Sequence, residues 1–323
     1  MSYKHLTLRE RYHIEAYKRA GNSNSKIAKD LNIHPSTVGR ELKRNTVCNV
    51  DTYYSYMANT KSQKRNTFQR KNANKKMTED TKNLIIKYIK KDWSPEQVSA
   101  TLKIDHNISI SFVRIYQFIK QDKQENGLLH THLRFFHTGK RRAKYGSKHN
   151  GKLKDRVSIS KRDKIVEAKT RIGDFEIDTI IGTNKKGAIS TAVDRASLFT
   201  KISIPTTKKA DEVEAEIKRI LLPLKNQIHT ITSDNGLEFS NHKNISKILD
   251  CSYYFCHPYS SWERGVNEYT NGLIRQYIPK GTSFENITQK DIQIIEDKLN
   301  NRPRKSLNWR TPKEVFYGLK KAG

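Results

Sequence analysis

Cysteine is nearly absent from this chain. Its three cysteines, Cys48, Cys251 and Cys256, cannot make a disulfide framework, which points to a reducing compartment. Cys251, Cys256 and His257 lie close together, but a structural zinc site needs four ligands and the second close pair is missing. Buried strand cysteines are the simpler reading. No run approaches the roughly 18 apolar residues of a membrane span, and the opening MSYKHLTLRERYH has no apolar signal-peptide core. A soluble cytoplasmic protein with no membrane partner is expected. Acids are also scarce: 33 Asp and Glu stand against 62 Lys and Arg, a formal charge of +29.

That imbalance is uneven. Residues 1–170 hold 38 basic and 15 acidic residues; residues 171–323 hold 24 and 18. A basic front half implies a polyanionic partner, and nucleic acid is the first candidate. No basic amphipathic anchor helix stands out to favour a membrane surface instead. A length of 323 residues predicts two or three domains.

The front half reads as two copies of one plan. In 1–46, HLTLRERYHIEAYKRAG predicts a helix with Leu8, Tyr12, Ile14 and Tyr17 inward, ending at Gly21. Ser25 and Ser36 are expected to cap two further helices joined by a short turn, the helix-turn-helix shape. The last helix would present Ser36, Thr37, Arg40, Lys43 and Arg44, residue types that bond base edges and phosphates. Residues 47–76 are polar and basic, and read as a linker or DNA-tracking segment. Residues 77–137 repeat the scheme, with Ser94 as cap, Pro95 at a first helical position and Val113, Tyr116 and Phe118 available for packing. Arg114, Gln117 and Lys120 would face DNA. Residues 138–167 form a second basic linker expected to order on nucleic acid, with Arg141 and Arg142 among its contacts.

From residue 168 the style changes. GDFEIDTII, GAISTAVD and LFTKISIP are strand-like runs, followed by helix, strand, helix, strand and helix, an α/β layout. The expected whole is multidomain: all-α helix-turn-helix modules in front and an α/β domain over 168–323.

In that domain Asp174, Glu176 and Asp178 share one strand face by period two. Asp234 closes a later strand, and Glu268 sits on a helix. Carboxylates brought together from such elements hold hard divalent cations, and two cations clamp the attacking and leaving oxygens of a phosphoryl transfer. Gly265 and Gly272 share the face of Glu268 and would let a nucleic-acid backbone approach; Asn267, Asn271 and Arg275 form a neighbouring row expected to hold it. Periodicity alone does not choose among the acids. Asp194, Glu238 and Glu263 are further rivals. Asp194 beside Arg195 suits an ion pair or turn, and Glu263 lies one and a half turns from Glu268.

GDFEIDTIIG, TSDNGLEF and PYSSWERGVNEYTNGLIRQYIPKGT together resemble the catalytic core of the bacterial insertion-sequence-thirty family of DDE transposases. The 33 residues between Asp234 and Glu268 match that family's spacing, and WSPEQVSATL and NNRPRKSLNWRTPKEVF extend the likeness over nearly the whole chain. Ile177 departs from the small residue usual before the first aspartate. The resemblance implies an RNase H-like (integrase-type) fold and a catalytic, metal-binding triad of Asp178, Asp234 and Glu268. It also implies two Mg2+ ions, with Mn2+ as a substitute, and a homo-oligomer working on double-stranded DNA. That DNA would be the terminal inverted repeats and the target, cleaved and then joined in the bacterial nucleoid. A repressor with an inactive core, and a nuclease that cuts without joining, are the alternatives.

Overall fold

The computed structural model describes residues 5–46, 52–134, 153, 155–183 and 187–319. They fall into two compact units, Met1–Lys82 and Asn83–Gly323. No helix among the described residues is long and apolar enough to cross a membrane.

The first unit contains α1 (Leu8–Arg19), α2 (Asn24–Asp30), α3 (Pro35–Asn45) and α4 (Ser55–Lys75). Ile14, Ile27, Ala28, Val38, Tyr53 and Ala58 make its core. Leu8 and Tyr12, expected inward, are exposed, and Arg11 is buried in their place. It pairs with buried Glu41 at 2.7 Å, and Tyr53 donates to the same carboxylate oxygen at 3.0 Å. Two caps are shifted from expectation. Ser23, not Ser25, accepts at the start of α2, and His34, not Ser36, caps α3 because Pro35 takes the first helical position. The expected linker over 47–76 is helical from Ser55 to Lys75, and Ser55 donates through N and Oγ to Glu15 on α1.

The second unit opens with α6 (Pro95–Asp105) and α7 (Phe112–Gln124), after α5 (Glu79–Ile89), within which the boundary between units falls. Ile115 and Ile119 carry the packing of α7, whereas Val113 and Tyr116 are exposed. Residues 83–134 do not stand apart from the α/β domain. Asp92 accepts from Lys298 at 2.6 Å, Gln97 donates to the Pro303 carbonyl at 2.7 Å, and Glu96 pairs with Lys305 at 2.7 Å.

The sheet comprises β1 (Asp174–Ile181), β2 (Ala188–Asp194), β3 (Thr200–Ser203), β4 (Thr230–Ser233) and β5 (Ser252–Phe255), in the order β3-β2-β1-β4-β5. β1–β2 and β2–β3 are antiparallel, whereas β1–β4 and β4–β5 are parallel. After the short α8 (Lys164–Ala168), alternation along β1 sends Phe175 and Ile177 into a core with α9 (Ala210–Leu221), α10 (His242–Leu249) and α13 (Pro312–Phe316). Ile180 packs on the opposite face with α11 (Gly265–Ile274) and α12 (Gln289–Asn300). This five-stranded mixed sheet with helices on both faces is the RNase H-like arrangement. Gly173 makes the entry to β1 possible: its φ is +101°, and a Cβ there would lie 1.7 Å from the Gln227 carbonyl oxygen.

Candidate active site and DNA-binding faces

The three acids of β1 share a face but meet different partners. Asp174 is buried against Arg171 at 2.8 Å and the Thr230 hydroxyl at 2.8 Å. Glu176 is buried against Arg195 at 2.9 Å and accepts the Asn267 backbone N–H at 3.1 Å. Burial pushes the Glu176 carboxyl above its ordinary range despite Arg195. Both are internal struts. Asp178 is the one that reaches the rim.

Strand register explains why. β1 and β4 run parallel with Asp174 opposite Thr230 and Glu176 opposite Thr232; continued by two residues, this sets Asp178 level with Asp234. Ligand sites of parallel strands lie at their carboxyl ends. Asp234 is held by the Gly236 N–H at 2.9 Å, just past the end of β4. Arg264 spans the pair, with Nη1 2.9 Å from Asp178 and Nη2 3.3 Å from Asp234. Burial raises the Asp178 carboxyl, Arg264 opposes the shift and Asp234 adds to it. Burial alone would lower the Arg264 guanidinium, but Asp178 and Asp234 turn its net shift upward. The Nε and Nη1 of Arg264 have no aligned hydrogen bond, so the guanidinium is held by charge more than by directed bonds.

α11 closes over this rim. Its Asn267, Asn271 and Arg275 do share a face, but that face lies against the sheet. Asn267 is fully buried, and both polar atoms of its side chain lack partners among the described residues. Asn271 donates to Asp178 at 2.8 Å, and Arg275 donates to the carbonyls of Ile278, Pro279 and Ile181. The row expected to grip DNA thus serves the strand acids and chain ends beneath it. A helix laid over a strand face that carries Glu176 and Asp178 must supply donors to them. A Cβ at Gly265 would meet nothing within 4 Å, while one at Gly272 would lie 3.1 Å from the Arg134 guanidinium.

Glu268 is exposed on the flank of α11, one turn beyond Arg264, with no hydrogen bond or ion pair to the described residues. No three His, Cys, Asp or Glu among the described residues are grouped closely enough to hold a metal ion. The structure thus joins Asp178 with Asp234 through Arg264 and leaves Glu268 outside that group, one turn further along α11. The rival acids are engaged elsewhere: Asp194 accepts from Gly173 N and Ser197, Glu238 pairs with Lys208, and Glu263 pairs with His257. Cys251 and Cys256 are free thiols, each pushed up to about 12 by burial.

On α3, Ser36, Arg40, Lys43 and Arg44 are exposed and Thr37 is half-buried. Arg40 folds back onto Ser36, donating to its carbonyl and hydroxyl at 3.0 and 2.9 Å. On α7, Gln117 and Lys120 are exposed and Arg114 is half-buried. Arg141 and Arg142 lie outside the described residues.

A helix-turn-helix domain model matches residues 2–45. The chain is 45% identical to the transposase for insertion sequence element IS4351 of Bacteroides fragilis, over 97% of this chain and 95% of that protein. It is 33% identical to the transposase InsI for insertion sequence element IS30A of Escherichia coli, over 97% and 83% of the two chains. The chain belongs to the IS30 family of transposases. A third member, the transposase for IS1086 of Cupriavidus metallidurans, is 32% identical over 97% and 94%. Among solved structures, the catalytic core domain of BIV integrase is similar over 45% of this chain and 94% of that one, at 20% identity and a TM-score of 0.35.

Arg264 of this IS30-family transposase escaped the sequence reading. Its position one turn ahead of Glu268 was visible, but its partners come from β1 and β4, which no local spacing connects to it.

Proposed function

We propose that this transposase binds the terminal inverted repeats of its insertion sequence and catalyses strand cleavage followed by strand transfer, using Asp178, Asp234 and Glu268. The observation that carries the reading is the pairing of Asp178 and Asp234 across the parallel strands β1 and β4, sharing one cationic group. Two adjacent carboxylates already bridged by a cation, with a third exposed on the next turn of α11, suit hard divalent cations. We assign two Mg2+ ions, replaceable by Mn2+, to these three residues. When bound, such ions would neutralise charge on the scissile phosphate and favour deprotonation of the attacking oxygen.

The chain's own groups divide the remaining work. Asn271 fixes the orientation of Asp178, and the Gly236 N–H fixes Asp234. Arg264 keeps the two carboxylates from repelling each other, a charge-balancing role that bound divalent cations would take over. Glu268 needs no such balancing. Water attacks a phosphodiester at the element end, breaking one ester bond and freeing a 3′-hydroxyl. That hydroxyl attacks a target phosphodiester, so each bond formed replaces one broken and no covalent protein–DNA link arises. The basic face of α3 and its counterpart on α7 bind the ends, and the protein works as a homo-oligomer on the bacterial nucleoid.

Labelled element ends, Mg2+ and a supercoiled target test the reading. Asp234→Asn is expected to abolish joined product while end binding persists; undiminished joining would remove Asp234 from the site. Cleavage by the unaltered protein without any joining of precut ends would mark a nuclease instead. Replacing Arg40 and Lys43 with Ala is expected to weaken binding and flatten its salt dependence by about 0.9 per lost phosphate contact. An unchanged slope would take α3 out of the interface.

A further inference from the structure

α4 is a helix with little to pack on. Ser55 and Ala58 are its buried residues among those whose side chains are described. Its 21 residues hold six Lys or Arg and no Asp or Glu, so no acid–base pair can form along it. A helix polar all round and without such pairs is marginal unless contacts from outside support it. The first unit supplies a few at the end of α3: Lys61 Nζ donates to the Asn45 carbonyl at 3.5 Å, and Arg65 Nη2 donates to Asn45 Oδ1 at 2.7 Å. Both acceptors are neutral, so neither cation is neutralised.

Docked in this way, α4 borders a cavity of about 370 Å³ together with α1 and α3. That size falls within the roughly 300–1,000 Å³ of ligand sites. Arg40 and Arg44, four apart on α3, line it, as do Ser62 and Arg65, three apart on α4. Arg11 and Glu41 line it too, but they are paired with each other at 2.7 Å. Arg40, Arg44 and Arg65 are all exposed, so their guanidinium groups are open to solvent. Arg40 bonds to the carbonyl and hydroxyl of Ser36 and Arg65 to the Asn45 amide, again neutral acceptors. Among the described residues none of the three has a carboxylate partner. Two helices thus bring three accessible guanidinium groups to one concavity whose only acid is already taken. Such forks match the oxygens of a phosphate.

We propose that Arg40, Arg44 and Arg65 form a phosphate clamp on the first unit, filled by a backbone phosphate of DNA bound by α3, so that α4 joins α3 in the interface. A small anion could fill the cavity alone, but it would leave the acid-free length of α4 without a use. A polyanion laid beside the helix would be repelled by acids there and supplies the contacts that α4 lacks. The choice of DNA as the phosphate source rests on the transposase reading; the anion site does not.

The test uses the full chain without divalent metal, so cleavage and joining do not enter it. Binding to an end duplex and to an unrelated duplex is followed against salt. Unfolding of the first unit is followed in chloride and in inorganic phosphate at matched ionic strength. Arg65→Gln can still donate to Asn45 and is expected to melt in chloride with the unaltered first unit. It is also expected to bind both duplexes about tenfold more weakly and to lower both salt slopes by about 0.9. The loss should be equal because a phosphate carries no sequence. Arg44→Gln is expected to behave alike. Loss confined to the end duplex would make Arg65 a base reader and overturn the phosphate assignment. Unchanged slopes in Arg65→Gln, with a lower melting temperature in chloride, would make Arg65 an internal strut and overturn the clamp. Unchanged slopes together with a stabilisation by inorganic phosphate that Arg65→Gln loses would leave a small-anion site and overturn the choice of DNA. Asp234→Asn should keep both slopes, so a failure of strand transfer leaves this measurement readable. Should Arg65→Gln be recovered unfolded, Arg65→Lys, which keeps the charge but not the fork, must keep both slopes and lose affinity for both duplexes alike for the site to stand.

Discussion

The two helical modules in the front half of the chain follow one sequence plan and end in different situations. The first closes its own core around Ile14, Ile27 and Val38, then adds α4, so that a complete unit lies within Met1–Lys82. Its polar interior is self-contained, with Arg11, Glu41 and Tyr53 satisfying one another. The second also has buried apolar residues of its own, Val98, Leu102, Ile115 and Ile119. Its polar groups, however, look outward to the α/β domain through Asp92, Glu96 and Gln97. Local helix signals are therefore shared, and independence is decided by where Asp92 and the first-turn residues of α6 find their partners.

The strongest way to break this comparison is to strike the internal pair of the first module. Glu41→Gln leaves Arg11 buried without its counter-charge, a change that costs about 3–5 kcal/mol. The expected outcome is a separate, earlier unfolding transition of the first unit, with the transition of the second unit unmoved. Calorimetry of the full chain checks it; a joint shift of both transitions would show that the first module is not self-contained.

A smaller effect is expected from cutting the tether of the second module. Asp92→Ala removes the acceptor of Lys298 and His132 together, and charged hydrogen bonds of this kind contribute about 1.5–3 kcal/mol. Here the second unit should lose stability as a whole. Hydrogen exchange would sharpen the point: amides of α6 and of α12 are expected to gain exchange together. Exchange confined to α5–α7 would mean that this module, too, opens alone.

Much of this organisation was legible because hydrophobic period tracks burial. The alternation of β1 placed Phe175 and Ile177 on one face and the acids on the other, and the α/β order followed from it. What failed was orientation wherever two readings of one pattern compete. α7 carries apolar residues on more than one stripe; Val113, Tyr116 and Phe118 are the expected packing residues, whereas Ile115 and Ile119 are the buried ones. Asn267, Asn271 and Arg275 looked like a solvent face because polar rows usually are; here the strand beneath them is itself charged. α4 gives no apolar stripe, and its N-terminal anchor is a carboxylate 40 positions away in a different helix. The register that brings Asp178 beside Asp234 is a property of strand pairing, and no single stretch of sequence contains it.

The smallest expected effect concerns that α4 anchor and separates the units by pH. Glu15 accepts the backbone N–H and the hydroxyl of Ser55 at 2.8 and 2.5 Å, and these bonds hold its carboxyl below the ordinary value of 4.5, with Arg19 helping. A lowered folded-state value means that the ionised form stabilises the fold. The contribution is complete above the unfolded-state value and is lost as pH falls through the folded-state one. Loss of such a helix-start contact costs about 1 kcal/mol. Glu15→Gln should therefore lower the stability of the first unit by roughly that amount at neutral pH and flatten its decline below about pH 4.5, while leaving the second unit's acid response as it was. An acid response of the first unit identical in the variant and the unaltered chain would place the anchor of α4 elsewhere and leave the first module's completeness to its apolar core alone.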